Sequence, residues 1–98
     1  MRSYEVLFIL KPDLDPEQTS AIIEKFTKLV TQNGGEVLQV NPWGKKRLAY
    51  EIRKYREGYY VLLQFKGRPE VAQEVERVMK ITDEVIRHLM TRLEEKAS

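Results

Sequence analysis

Four strand-like runs and only two amphipathic helical stretches alternate along this chain, and that ratio limits its fold more than any single motif. Two helices can cover one face of a four-stranded sheet but not both. The first run, Arg2 to Leu10, is apolar at Tyr4, Val6, Phe8 and Leu10, and again at Leu7 and Ile9. A strand apolar on both sides belongs in the middle of a sheet, with each face at least partly covered. Pro12 ends it, because a proline holds the preceding Lys11 out of helical geometry. Asp15-Pro16-Glu17-Gln18 then opens a helix. Asp15 is the N-cap, Pro16 takes the first helical position, and Gln18 is placed to close a capping box. Ile22, Ile23, Phe26, Leu29 and Val30 form one stripe at helical spacing, with Lys25 and Lys28 off it. Asn33-Gly34-Gly35 tolerates left-handed geometry and ends the helix.

The second strand runs from Glu36 through Val37, Leu38 and Val40 to Pro42-Trp43-Gly44. Proline and glycine there predict a bulge that bends an edge strand. It resumes from Lys46 to Arg53, with Leu48, Tyr50 and Ile52 alternating against Arg47, Ala49 and Glu51. A turn is expected over Lys54–Gly58, then a third strand from Tyr59 to Lys66. Tyr59, Val61, Leu63 and Phe65 share one face of it, and Tyr60 and Leu62 the other. Pro69 stands near the start of the second helix, whose core face carries Val71, Ala72, Val75, Val78 and Met79. Residues 81–84 connect to a fourth strand, Val85 to Leu93. Its inward set is either Ile86 and Met90, or Val85, Leu89 and Leu93. Residues 94–98 form a short polar tail expected to fray. The order β-α-β-β-α-β over one domain, residues 1–98, is the split βαβ or ferredoxin-like α+β arrangement. It predicts a four-stranded antiparallel sheet, first and third strands central, both helices on one face. The other face is left open with Leu7, Ile9, Tyr60 and Leu62, an apolar patch that calls for a partner or ligand.

Charge gathers beside that patch. Between Gly44 and Arg56 stand Lys45, Lys46, Arg47, Arg53, Lys54 and Arg56 against the single acid Glu51, in a chain of net charge +2. A positive strand pair on a nearly neutral body suits phosphate; a lysine-protected hairpin edge is the plainer account. There is no cysteine, so disulfides and thiolate metal sites are excluded. The apolar run Val6 to Leu10 is too short for a signal peptide or for the roughly 20 residues of a membrane span, which points to a cytosolic protein. No catalytic or metal site is expected. His88 is a lone histidine without convergent ligands, Asp13 and Asp15 serve turn and cap, and Ser3, Ser20 and Ser98 have no base nearby in sequence. Gly34-Gly35 ends a helix where a phosphate loop starts one. An RNA recognition motif shares the element order, and Arg56-Glu57-Gly58-Tyr59-Tyr60-Val61 is similar to its third strand. Adjacent Tyr59 and Tyr60 point to opposite faces, however, whereas base stacking needs aromatics two residues apart. That single-stranded RNA-binding module remains an alternative. So does a regulatory domain that closes its open face by dimerising around a small effector, although no convergent polar pocket is legible.

Specific motifs go further. Arg-x-Tyr-Glu-x-x-x-Ile-Leu (Arg2 to Leu10) and Pro12-x-Leu14 resemble the opening of the family of the sixth protein of the bacterial small ribosomal subunit. Trp43-Gly44-Lys45-Lys46-Arg47-Leu48-Ala49-Tyr50 is similar to that family's most recognisable motif. Gly58-Tyr59-Tyr60 and Asp83-Glu84-Val85-Ile86-Arg87-His88-Leu89 follow in family order, so the resemblance spans nearly the whole chain. It implies a structural constituent of the cytoplasmic small subunit, with no catalysis, cofactor or small-molecule substrate. It also implies pairing with the eighteenth small-subunit protein and joint binding to the central domain of 16S ribosomal RNA. By matching positions, Arg2 and Lys45, Lys46 and Arg47 are implied RNA contacts; the charge count adds Arg53, Lys54 and Arg56. Tyr4, Trp43, Tyr50 and Arg87 also match, as packing or partner residues. With the open face they give a candidate partner set of Leu7, Ile9, Trp43, Tyr50, Tyr60, Leu62 and Arg87. Glu51 stands where many members have proline, and no function resting on the acidic tail of some members is expected here.

Overall fold

The structure is a computed structural model and describes residues 1–93, so the tail expected over 94–98 lies outside the described residues. The elements are β1 (Arg2–Leu10), α1 (Pro16–Gln32), β2 (Glu36–Ile52), β3 (Tyr55–Gly67), α2 (Pro69–Ile81) and β4 (Val85–Leu93). They form one antiparallel sheet in the order β2-β3-β1-β4, with β1 and β3 central as their two-sided apolar character requires. Val6, Phe8 and Leu10 of β1 and Val61, Leu63 and Phe65 of β3 pack against Ile22, Phe26 and Val30 of α1 and Val71, Val75 and Met79 of α2. Phe8 and Phe26 meet at 5.4 Å between ring centroids. The capping box forms: the Gln18 N–H donates to Asp15 Oδ1 at 2.8 Å, and the Asp15 N–H donates to Gln18 Oε1 at 3.0 Å.

Along β2 the expected bend is present. Gly44 has φ +87°, and the register to β3 shifts between Pro42 and Gly44. The turn, however, does not span Lys54–Gly58. It is a two-residue connection at Arg53 and Lys54, with φ of 50° and 71°, and Ile52 pairs with Tyr55 across it. Hairpins of this length favour positive φ at both central residues because that twist matches the strands. Arg-Lys carries none of the Asn-Gly signature, so the turn was hidden, and β3 starts four residues before the expected Tyr59. Gly58 has a different duty. A Cβ there would stand 2.3 Å from Ile9 Cγ2 and 3.3 Å from the Leu10 carbonyl oxygen, so glycine is what lets β3 close on β1.

β4 resolves its phase with a bulge. Ile9 faces Arg87 and Leu10 faces Val85, which leaves Ile86 unpaired. Val85 and Met90 therefore pack toward the helices, while Ile86 turns to the opposite face. Neither strictly alternating set describes a strand whose period breaks at its second residue. On that opposite face Ile9, Leu48 and Ile86 are buried together, flanked by Ile52, Tyr55 and Tyr60, because the far half of the β2–β3 hairpin bends over the sheet.

Gly58→Ala is expected to destabilise the fold by about 1–3 kcal/mol through overpacking against Ile9, read from the urea midpoint. An unchanged midpoint would remove the close-approach role. Lys54→Gly is expected to raise the midpoint, gaining about 1 kcal/mol by relieving the left-handed backbone.

Candidate interaction surface

The open face divides along its length. Toward Arg2 it is polar: Gln64 Nε2 donates to Glu5 Oε1 at 2.9 Å. Toward the hairpin it is apolar and aromatic. Trp43 and Tyr60 lie nearly parallel, 6.3 Å between centroids and 9° between planes, and Lys46 Nζ sits 4.9 Å from the Trp43 centroid. Trp43 is 41% exposed, Tyr50 60% and Leu89 63%. Beside the Trp43–Tyr60 pair runs a groove of about 220 Å³, lined by Leu7, Ile9, Leu48, Tyr50, Tyr60 and Leu89. Arg87 closes one side. Its Nη1 donates to the Tyr50 hydroxyl, and its guanidinium carbon stands 5.6 Å from the Tyr50 ring centroid. Leu7, Leu62 and Tyr60 are half-buried here, as the strand period placed them.

Ile9 is the exception among the expected open-face residues. It is only 7% exposed, covered by Leu48 and Ile86. Sequence spacing within β1 puts it on the right face but says nothing of a hairpin folding back over it. Trp43 and Leu89 show the reverse. Trp43 adds a second aromatic beside Tyr60 from a neighbouring strand, which counting along β3 alone misses, and Leu89 was obscured by the β4 bulge. Tyr59, meanwhile, packs against the helix-side core.

The basic residues do not form one patch. Arg2 pairs with Gly67 at the far end of β1, about 27 Å of extended strand from Leu10. Lys46 lies over Trp43 on the open face. Lys45 lies beside Tyr59 and the start of α1, on the helix side. Arg53 Nη1 donates to the Asp83 carbonyl at 2.9 Å and stands 3.6 Å from its carboxylate, tying the hairpin tip to the connection before β4. Arg47, Lys54 and Arg56 lie along the hairpin itself, where Arg56 approaches Glu51 at 4.0 Å. Exposed pairs of this kind contribute little stability and leave the cation open to other anions. His88 is on the helix side, 3.9 Å from Glu76. Two helix carboxylates are held low by neighbouring cations: a hydrogen bond from Lys28 keeps Glu24 below its ordinary value, and one from Arg77 does the same for Glu74. Among the described residues no cluster of histidines and acids is arranged to hold a metal.

One face sealed by helices and one presenting aromatics, a groove and dispersed cations define a small ferredoxin-like interaction domain. Comparison with known proteins gives the family. The model for ribosomal protein S6 matches residues 3–92, and the chain belongs to that family. It is 66% identical over 98 residues to the small ribosomal subunit protein bS6 of Moorella thermoacetica, covering all of both chains. It is 52% identical over 92 residues to the bS6 protein of Carboxydothermus hydrogenoformans, covering 94% of this chain and 96% of that one. The crystal structure of 30S ribosomal protein S6 from Thermotoga maritima superposes with a TM-score of 0.89 at 31% identity, covering 94% of this chain and 87% of that one. The chain is thus a structural protein of the small ribosomal subunit in the cytoplasm, and not an enzyme. No described helix is long and apolar enough to cross a membrane.

Proposed function

We propose that the chain docks on the central domain of 16S ribosomal RNA together with the eighteenth small-subunit protein. The protein partner covers the open sheet face, and the hairpin cations meet RNA phosphates. The observation that carries this reading is one groove lined by exposed Tyr50 and Leu89, with exposed Trp43 stacked on Tyr60 of its wall. Large aromatics beside a groove are what a protein interface uses as anchors. Phosphate contacts from lysine and arginine position a protein on RNA without reading its sequence. A net charge of +2, spread over separate places, supplies few such contacts. RNA affinity of the single chain is therefore modest, and joint docking is the economical solution. Base stacking on the open face fits less well, since Tyr60 and Lys46 already lie against Trp43.

Arg47→Gln combined with Lys54→Gln should leave the urea midpoint unchanged. It should flatten the dependence of log binding constant on log salt by about two units, about one per lost cation. Binding to a central-domain RNA fragment in the presence of the partner gives that slope. An unaltered slope would take both residues out of the RNA contact.

A further inference from the structure

Between the pairs Arg47↔Glu57 and Ile52↔Tyr55, four residues of β2 (48–51) face the single residue Arg56 of β3. So large an excess cannot remain flat in the ladder, and the longer strand bows away. Beside the bow lies a cavity of about 660 Å³, well inside the range of roughly 300–1,000 Å³ typical of small-ligand sites. It is lined by Arg47, Lys54 and Arg56, by Glu51 and Glu57, and by Tyr55, which also flanks the Ile9–Leu48–Ile86 cluster. Glu51 has Arg56 at 4.0 Å. Among the described residues no cation stands within 4.0 Å of Glu57.

Cations alone suit a bare phosphate, but two carboxylates in the same wall repel one. Both charges are useful to a nucleotide whose base presents hydrogen-bond donors while its phosphate is held apart. Guanine offers N1–H and the N2 amino group side by side, which fits the two oxygens of one carboxylate. Adenine and cytosine offer one amino group and uracil one imino N–H. Tyrosine rings and arginine planes are the usual stacking partners of an unstacked base. We propose that this cavity takes an unpaired guanosine nucleotide of the RNA. Glu57 accepts from the guanine edge, Tyr55, two residues away on the same face of β3, stacks, and Arg47 and Lys54 hold the phosphate. The proposal rests on the RNA-docking reading and adds what the RNA presents to the hairpin.

The test is a titration of the full chain with guanosine, adenosine, cytidine and uridine 5′-monophosphates and with inorganic phosphate, following the backbone amide NMR signals of residues 47–57. The guanosine nucleotide should saturate those signals at a concentration lower by about tenfold or more, the discrimination expected of a bidentate pair. Glu57→Gln should abolish the preference, and Glu36→Gln, on the strand's far end, should keep it. Equal responses to all four nucleotides, a response to phosphate matching that to the guanosine nucleotide, or no response overturns the pocket. Such a failure with intact binding to the ribosomal RNA fragment sinks the pocket alone; loss of that RNA binding in the unsubstituted chain sinks the docking reading itself.

Discussion

Val6, Phe8 and Leu10 commit one side of β1 to the helices, and the period of a strand then commits Leu7 and Ile9 to the other. Everything else in the molecule answers to that division. The helix side is a continuous core whose largest members are almost fully buried, each contributing about 1.5–3 kcal/mol relative to exposure. The opposite side has no helix. It is covered only where the hairpin bends back, and only enough to bury Ile9, Leu48 and Ile86. The remaining apolar surface, Leu7 to Leu89, stays open and is the face the docking proposal gives to a protein partner.

Much of this was legible because local chemistry and long-range packing agree. Asp15, Pro16 and Gln18 mark the start of α1 whatever surrounds them. The stripe Val71, Ala72, Val75, Val78 and Met79 is buried as a unit. The central place of β1 and β3 follows from their two-sided apolar content. Where the reading failed, a local rule was overridden from elsewhere in the fold. Gly58 looks like a turn glycine, yet its glycine character answers to the Ile9 side chain on the neighbouring strand. Arg53 and Lys54 look like ordinary strand-end cations, yet their backbone is left-handed. The bulge at Ile86 alters the phase of β4, and no property of Ile86 itself announces it.

The surface was legible in its residue types but not in its arrangement. Six cations within thirteen residues suggest one phosphate patch, and the fold separates them. Lys46 goes to the aromatic face, Lys45 to the helix side, Arg53 to Asp83, and Arg47, Lys54 and Arg56 to the bowed hairpin. Trp43 and Tyr60, 17 positions apart in sequence, end face to face because β2 and β3 are neighbours with a shifted register at Gly44. An apolar, aromatic face thus adjoins scattered cations, and the docking proposal assigns the first to a protein and the second to RNA.

The central claim is joint docking, and binding to a central-domain fragment of 16S ribosomal RNA across a salt series, with and without the eighteenth small-subunit protein, measures it most directly. The account predicts weak binding by the chain alone and tight, salt-sensitive binding when both proteins are present. Tight binding to the fragment without the partner, or equal binding to any single-stranded RNA, would contradict it.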